Sequence, residues 1–391
     1  MRPSKKAKKL RTPSAAQFTN CVEWKDGKPT SLKNVSSPVV RSTTIFEPTE
    51  TDWKYAHHQG VGVFKKRLYA IWSSALKDED TPGQRVMYAV RSEAGVWSKP
   101  RVLFQPEIDP DGRLRVLTAA GFHSHKGTLV AYAGDYADNR KTTGLYARTS
   151  IDGETWSKVH NLDMPVCPNF GPQRIASGRL IIAGNTAFPY TDDPLGLTGW
   201  KLAGIATKAI KPFHDNPTTF WEVCKNKKWP NLCEGSLHET PDGVLWMLMR
   251  STSLDKSAEN VLWESRSKDN GVTWSKPQKT AYSNTDAKMH LGRLPDGRYY
   301  CIGNPLTTDF IRLPLVLSTS RDGLRFDRHY IIGAGHYLKR FEGAYKGGEY
   351  SYPHTVTDSK TLYVIVARQK EAIELIEVPL SELSESAPTQ S

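Results

Sequence analysis

Six times along the chain, a short strand-like segment, a tight polar turn and a second, strongly apolar strand-like segment follow one another. The six copies cover residues 57–72, 122–134, 170–185, 234–250, 289–304 and 352–368. Each copy predicts a β-hairpin, and no stretch between the copies shows the apolar periodicity of a helix. Many short strands at a regular spacing predict sheets arranged as blades around one axis.

A second repeated motif ends in an aromatic residue. It occurs as SIDGETW (150–156), SKDNGVTW (267–274) and SRDGLRF (320–326), with degenerate versions ending at Trp97 and Trp221. Successive aromatic residues lie 52 to 65 positions apart, which is enough chain for four strands per repeat. The aspartate accepts hydrogen bonds from its own turn, the glycine supplies a positive φ, and the aromatic ring packs between sheets. The motif is therefore interpreted as structural.

These patterns predict an all-β protein, a six-bladed β-propeller of four-stranded antiparallel blades over residues 18–383. The N-terminal stretch 22–37 is expected to add a strand to the last blade and so close the ring. Residues 1–17 are expected to form a disordered basic tail and residues 384–391 a disordered C-terminal tail. The five cysteines form no CxxC pair and are expected to be buried free thiols.

Strand direction predicts which face of the propeller holds the chemistry. The aspartate turns and the hairpin turns fall on one face, so the starts of the first strands and the ends of the second strands meet on the other. Aligned hairpins place these polar residues at the strand starts: His57, His58, His123, His125, Asn169, Arg174, Glu234, His238, Lys288, His290, Glu349 and Tyr352. They place these residues at the ends of the second strands: Ser73, Asp135, Asn185, Arg250, Asn304 and Arg368. Such a ring of polar side chains is typical of a binding funnel.

The aspartate motifs resemble the Asp boxes, or BNR repeats, of sialidases, and the region from about 50 to 380 resembles the sialidase-like six-bladed propellers. The segment 233–253 is similar to the family's fourth blade, 304–323 to the segment with a further arginine, and 347–356 to the closing segment. The likeness implies a glycoside hydrolase that removes a terminal anionic sugar. It indicates the fold more specifically than the activity, because lectins and lyases also carry such boxes.

The resemblance implies roles for individual residues. Tyr352, or alternatively Tyr350, would be the nucleophile and Glu234 its partner, while Arg250 and Arg312 would bind the substrate carboxylate. The general acid would come from the loop 75–86, which offers Asp78, Glu79 and Asp80; Glu79 and Asp80 are the preferred candidates. Further predicted substrate-binding residues are His57, His58, His123, Arg174, Gln84, Arg85 and Arg368.

The chain departs from the family at the start of the first blade. The family's first arginine has no counterpart there, where the sequence reads YAHHQGVGVF. Seven of the eleven histidines fall in the hairpin segments, which leaves a second enzyme class open. A histidine could abstract the proton next to a uronate carboxylate with Tyr352 as the acid, as in a polysaccharide lyase. A glycan-binding propeller without activity is the third possibility. The histidines could instead bind a divalent metal, but zinc-type spacings are absent, so no metal or cofactor is expected.

The net charge of +12 first suggests a nucleic-acid partner, but half of it lies in residues 1–11. The remaining excess includes the arginines expected in the funnel, so the predicted partner is an acidic glycan or oligosaccharide, with no nucleic acid. No run of 18 apolar residues predicts a membrane span. The basic N-terminus has no long apolar stretch typical of a secretory signal, so a cytoplasmic location is the default; a signal removed upstream would imply a periplasmic or secreted protein. The oligomeric state is left open.

Overall fold

The computed structural model describes residues 18–108, 112, 114–137, 142–205, 224–225, 227, 229–252, 260–308 and 310–383. Both predicted tails, 1–17 and 384–391, lie outside the described residues. Within these residues the regular secondary structure is almost entirely β-strand; the exceptions are helical residues at 224–225 and 227 and a short 3₁₀-helix at Leu380–Leu383. No helix in the described part of the chain is long and apolar enough to cross a membrane.

Six antiparallel sheets follow one another and are named here blades one to six, with strands given from the inner to the outer edge. Blade one consists of Tyr55–Phe64, Arg67–Ala75, Arg85–Val90 and Arg101–Phe104. Blade two consists of Val116–His125, Thr128–Ala137, Thr142–Ser150 and His160–Asn161. Blade three consists of Gln173–Arg174, Leu180–Ile181 and Tyr190–Thr191.

The remaining blades have four antiparallel strands each, and two of them carry extra strands that pair in parallel at the outer edge. Blade four consists of Asn231–Glu239, Leu245–Thr252, Val261–Ser267 and Gln278–Ser283, followed by Thr19–Asn20 and Arg325–Phe326. Blade five consists of His290–Arg293, Tyr299–Gly303, Leu315–Ser320 and Arg328–Gly333, followed by Val35–Ser36. Blade six consists of Ser351–Thr357, Thr361–Arg368, Ala372–Pro379 and Arg41–Phe46. Trp24–Lys25 and Lys28–Pro29 form a separate small hairpin.

The blades form a closed ring because each neighbouring pair encloses its own apolar core. Six of the seven hydrophobic clusters lie between blades one and two, two and three, three and four, four and five, five and six, and six and one. The inner strands also approach closely: a Cβ on Gly60 would lie 3.2 Å from the Gly121 Cα, and one on Gly121 would lie 3.0 Å from the Gly171 amide nitrogen. The predicted all-β propeller is confirmed.

Blade three differs from the predicted four-stranded sheet within the described residues, which do not include 206–223. Its three strands have two residues each within the described part of the chain. Proline occurs at positions 165, 168, 172 and 189 around its first two strands, and each proline removes a backbone donor from the ladder. The interruptions therefore explain the weak pairing of this blade.

The ring is closed by a strand later in the chain than predicted. Arg41–Phe46 pairs with Ala372–Pro379 as the outer strand of blade six. The predicted stretch 22–37 instead forms the small hairpin and pairs Val35–Ser36 with blade five. Alternation explains the difference, because RSTTIF reads as an edge strand whereas 22–37 is broken by Asp26, Gly27 and Pro29.

The aspartate boxes form the self-contained turns that the sequence predicted. Asp152 Oδ1 accepts hydrogen bonds from the amides of Glu154 and Thr155 at 2.8 and 2.7 Å and from the Ser150 hydroxyl at 2.9 Å. These bonds hold the pKa of Asp152 well below its ordinary value. All five cysteines are free thiols as expected, but Cys21 is exposed and Cys167 is only partly buried.

Candidate active site

The first strands of blades one, four and six share an irregularity at the same place. Their pairing with the second strands shifts between His57 and Gly60, between Cys233 and Ser236, and between Ser351 and His354. Inside each bulge one residue has a positive φ, and the three are His58 at 52°, Glu234 at 51° and Tyr352 at 53°. Such a backbone is uncommon for residues other than glycine, and bulges redirect side chains. Three chemically active side chains are thus presented at one level of the ring.

Tyr352, Glu234 and Arg250 are in direct contact. Arg250 Nη1 donates to the Tyr352 hydroxyl oxygen at 2.6 Å and to Glu234 Oε2 at 2.5 Å, so one guanidinium nitrogen bridges the phenol and the carboxylate. Burial raises the pKa of Tyr352 well above its ordinary value, although Arg250 and Arg312 oppose this. Burial alone would raise the pKa of Glu234 too, but Arg250 and Lys288 bring it below the usual range. A neutral phenol therefore faces an ionised acceptor.

Arg250 is held by a second carboxylate that the sequence did not point to. Its Nε and Nη2 both contact Asp286, whose side chain is fully buried. Asp286 also accepts a hydrogen bond from Thr252 Oγ1 at 3.3 Å. Arg250 was expected to bind the substrate carboxylate, yet both edges of its guanidinium are turned to groups of the protein. Asp286 lies two residues before Lys288, a predicted residue of the funnel, and this closeness along the chain is the one sequence signal that points to Asp286.

Two further buried cations face the ring of Tyr352. Arg312 Cζ and Lys288 Nζ each lie 5.0 Å from the centroid of that ring. Arg312 donates to Ser351 Oγ at 2.8 Å and to the Asp286 carbonyl at 3.2 Å. Lys288 donates to the Asn169 carbonyl at 2.9 Å and lies over the ring of Phe170. Burial lowers the pKa of Lys288 to about 8.

A second group of titratable side chains adjoins Tyr352 from blade one. Lys370 Nζ lies 2.6 Å from Glu79 Oε2. His58 Nε2 lies 3.1 Å and His57 Nδ1 3.8 Å from Glu79 Oε1. The His57 ring centroid lies 4.2 Å from that of Tyr352. Burial alone would raise the pKa of Glu79, but Lys370 and the two histidines hold it well below the ordinary value. Burial also holds the pKa of His57 well below 6.5, so that histidine is neutral.

His57, His58 and Glu79 also have the composition of a metal site. Each offers one ligand atom, and these atoms lie within 4.8 Å of one another; no other such group was found in the described residues. The histidines and carboxylate suit a divalent transition metal. Lys370 competes for the charge of the carboxylate, and neither ring nitrogen of the buried His57 has a hydrogen-bond partner within the described residues.

The loop that was expected to supply the acid separates its three carboxylates. Glu79 reaches the histidines, whereas Asp78 accepts from the backbone amides of Glu79 and Tyr345 at 2.9 and 3.1 Å. Asp80 has a positive φ of 61° and donates its amide to Gln84 Oε1 at 3.2 Å. Gln84 is buried and donates to the Leu117 carbonyl at 2.8 Å, so it anchors this loop.

Four of the predicted substrate-binding residues do not contact the Tyr352 group, and they are Arg85, Arg368, His123 and Arg174. Arg85 stacks on the ring of Trp53 at 3.6 Å. Arg368 ends its strand on the expected face, but its guanidinium lies over the Tyr337 ring and pairs with Glu374 at 2.9 Å.

The predicted placement of His123 and Arg174 is wrong. His123 pairs with Val130 and Arg174 with Leu180, next to the hairpin turns and thus on the opposite face. The hydrogen bonds of His123 Nε2 and Arg174 Nη2 both go to the Pro194 carbonyl, at 2.8 and 3.1 Å. An alignment on Leu129 and Leu180, which lie at the start of the second strands, puts the starts of the first strands only a few residues from the turn, whereas the first strand of blade two begins already at Val116.

Three polar residues predicted at the ends of second strands stabilise backbone. Ser73 Oγ accepts the Ala119 amide at 2.9 Å. Asn185 Oδ1 accepts the Glu234 amide at 3.1 Å, and Asn304 Nδ2 donates to the Pro314 carbonyl at 2.9 Å. Asn185 thereby holds the bulge that presents Glu234, and Asn304 holds the segment that carries Arg312.

A family model for the BNR repeat-like domain matches residues 66–365 of this chain. The chain belongs to the BNR repeat-like family. None of the curated proteins matches it. Among solved structures, this BNR repeat-like protein is similar to a protein of unknown function from Dyadobacter fermentans, with a TM-score of 0.60 and 16% identity over 87% of this chain and 99% of the other.

Two sialidases are similar to this BNR repeat-like protein in fold. One is a mutant of the NanB sialidase from Streptococcus pneumoniae, with a TM-score of 0.62 and 13% identity over 86% of this chain and 70% of the other. The other is the Trypanosoma rangeli sialidase in its covalent intermediate with 2,3-difluorosialic acid, with a TM-score of 0.57 and 12% identity over 84% of this chain and 55% of the other. At these identities the likeness establishes the fold alone, and the activity is argued from the site.

Proposed function

We propose that this protein is a glycoside hydrolase that cleaves a terminal acidic sugar from a glycan, with Tyr352 as the nucleophile. The observation that carries the proposal is that one nitrogen of Arg250 donates to both the Tyr352 hydroxyl oxygen and the Glu234 carboxylate. Glu234 accepts the phenolic proton while the tyrosine oxygen attacks the anomeric carbon, and Arg250 stabilises the charge on both oxygens. Water then cleaves the bond between tyrosine and sugar and returns the proton to the enzyme.

The proton donor to the leaving oxygen is assigned to Asp80 in this proposal. The lowered pKa of Glu79 makes that carboxyl a poor acid near neutral pH, and Asp78 is bonded to backbone amides. Asp80→Asn should therefore slow the cleavage of glycosides with poor leaving groups far more than that of activated aryl glycosides. An equal loss on both kinds of substrate would remove Asp80 from this role.

The test compares Tyr352→Phe with Tyr350→Phe on a panel of acidic and neutral glycans, with products identified by mass spectrometry. Tyr350 lies two positions earlier, and its hydroxyl accepts the Gly335 amide at 3.1 Å within the core between blades five and six. Loss of the nucleophile should lower kcat by at least about a thousandfold. Tyr350→Phe should keep activity close to that of the wild type. Full turnover in Tyr352→Phe on every cleaved glycan would end the proposal.

The histidines beside Tyr352 favour a polysaccharide lyase as the second candidate function. His57 is neutral and its ring centroid lies 4.2 Å from that of Tyr352, so an imidazole base and a phenolic acid adjoin each other. A lyase acting on a uronate glycan would release an unsaturated sugar that absorbs in the near ultraviolet. Hydrolysis would instead incorporate one oxygen from ¹⁸O-labelled water into the released sugar, so the two reactions are separated in one assay.

A further inference from the structure

Two adjacent histidines and a glutamate of blade one meet beside Tyr352. In a regular strand, neighbouring side chains point to opposite faces of the sheet, so His57 and His58 would diverge. The bulge between His57 and Gly60, with a φ of 52° at His58, interrupts this alternation, and the two imidazole centroids lie 4.7 Å apart. Glu79, from the loop between the second and third strands, faces both rings with Oε1. The local backbone thus gathers three groups that can each bind a metal ion.

His57 is the member of this group whose bonding is incomplete. Its side chain is fully buried, and both of its ring nitrogens lack a hydrogen-bond partner in the part of the chain that the structure describes. Burying an imidazole removes the water from both nitrogens, which costs free energy unless another group takes the place of that water. Its Nδ1 faces Glu79 Oε1 at 3.8 Å, which is too long for a hydrogen bond but leaves room for an ion that contacts both atoms.

The separations between the three ligand atoms suit one small divalent ion. An ion bound tetrahedrally, with bonds of about 2.0–2.2 Å, holds its ligand atoms about 3.3–3.6 Å apart. Glu79 Oε1 lies 3.8 Å from His57 Nδ1 and 3.1 Å from His58 Nε2, and these two distances bracket that range. All three ligand atoms lie within 4.8 Å of one another, so rotation of the imidazole rings would close the set around one ion.

Neighbouring groups orient two of the ligands. The Tyr55 hydroxyl lies 3.5 Å from His58 Nδ1, which favours the tautomer with the proton on Nδ1 and leaves the lone pair of Nε2 facing Glu79. Lys370 Nζ contacts Glu79 Oε2, so Oε1 is the oxygen that remains for the histidines. Outer contacts of this kind usually fix the side chains that bind a metal.

We propose that His57, His58 and Glu79 bind one divalent transition-metal ion of the zinc class, with a fourth position open to water or a ligand. Two imidazoles and a carboxylate are a ligand set that zinc uses in sites with an open position, whereas magnesium and calcium prefer oxygen ligands. Two adjacent histidines with a glutamate 21 residues later match no zinc motif, so the sequence pattern does not indicate the site. The site is independent of the proposed hydrolysis, which assigns no step to these three residues.

The test measures metal binding by the full chain after treatment with a chelator. All proteins carry Cys21→Ser, because an exposed thiol also binds zinc. Calorimetry with zinc should show one equivalent bound with micromolar or tighter affinity, and an excess of magnesium should not displace it. Zinc should also raise Tm, since it binds the folded protein. Cobalt in place of zinc should give the visible absorption bands of a four- or five-coordinate ion with nitrogen and oxygen ligands, and one equivalent of zinc should remove them.

His57→Leu and Glu79→Gln should each weaken zinc binding by about a hundredfold or more, because each removes one of three ligands. The matched control is His238→Leu. His238 is also buried and its Nε2 also lacks a partner among the described residues, but it packs against the rings of Phe18 and Tyr299 and belongs to no group of metal ligands found there. That variant should keep the zinc affinity and the rise in Tm.

Lys370→Met should change zinc binding in the opposite direction. Lys370 Nζ lies 2.6 Å from Glu79 Oε2 and places a positive charge beside the site. Its removal leaves the carboxylate to the ion alone, so zinc should bind about tenfold tighter or more. A gain in one variant and a loss in the others would locate the ion at Glu79, because a general loss of folding cannot produce tighter binding.

No zinc binding before any ligand is substituted, unchanged affinity in a folded His57→Leu or Glu79→Gln protein, or an equal loss in His238→Leu would each overturn the inference. Weaker zinc binding in Lys370→Met would contradict it as well. Where a ligand variant does not fold, as its melt would show, the cobalt spectrum of the protein with all three ligands decides, and the weak bands of an ion with six oxygen ligands would overturn the inference. The proposed function is judged separately, by the turnover of Tyr352→Phe.

Discussion

Asp286→Asn tests whether the buried carboxylate holds Arg250 in place at Tyr352. The substitution keeps the shape of the side chain, removes its charge and leaves Arg250 with Glu234 as its carboxylate partner. Breaking a buried ion pair costs about 3–5 kcal/mol, and the amide oxygen still accepts one hydrogen bond, so we expect about 3 kcal/mol. An unfolding entropy of about 2.1 cal/mol/K per residue gives about 0.8 kcal/mol/K for 391 residues. The expected decrease in Tm is therefore about 4 °C.

The assay is a thermal melt of Asp286→Asn beside Asp296→Asn at the same pH and salt. Asp296 pairs with Arg298 at 2.6 Å, but its side chain is 50% exposed. Such a pair contributes at most about 1 kcal/mol, or about 1 °C. Asp286→Asn should also slow turnover, because Arg250 is then free to move away from the tyrosine hydroxyl. Equal melting temperatures for the two variants would show that Asp286 does not hold Arg250.

Two further predictions follow from pH and from packing. Burial lowers the pKa of Lys288 to about 8, so between pH 8 and 10.5 the unfolded lysine holds a proton that the folded one has lost. The Tm of the wild type should therefore rise with pH relative to that of Lys288→Met, and parallel pH profiles of Tm would contradict this. Gly153→Ala should lower Tm by several degrees more than Gly127→Ala. Both glycines have φ near 78°, but the new Cβ at Gly153 would lie 2.0 Å from the Tyr69 hydroxyl, whereas that at Gly127 meets nothing within 4 Å. Equal melting temperatures of the two variants would contradict this prediction.

The fold could be predicted because each of its repeats has a local sequence pattern. Each hairpin and each aspartate turn satisfies its own hydrogen bonds, so the structure of residues 150–156 or 352–368 can be predicted without knowing which distant segments pack against them. Blade three was predicted less well, since its strands are interrupted by prolines and pairing there depends on tertiary contacts. The closing strand Arg41–Phe46 pairs with a strand more than three hundred residues later in the chain, and no local pattern indicates that partner.

The site was predicted where residues share a register and missed where they do not. Glu234 and Tyr352 lie at equivalent places of their first strands, Arg250 lies on the second strand beside Glu234, and the structure brings the three into contact. Asp286 and Lys370 stand outside the aligned strands, and their contacts are decided by loops. His123 and Arg174 were placed on the wrong face because a shift of a few residues along a strand moves a side chain from one end of the blade to the other.

The strand Arg41–Phe46 lies beside the last blade, so the two ends of the propeller meet at the junction of blades six and one. Candidate site residues bridge this junction: Gln59 donates to the Tyr352 carbonyl at 2.5 Å, and Lys370 pairs with Glu79 at 2.6 Å. During synthesis the early strand must wait for residues 372–379 before it finds its partner. Until that strand pairs, the ring is open, so the candidate site is complete only in a chain whose last blade has formed.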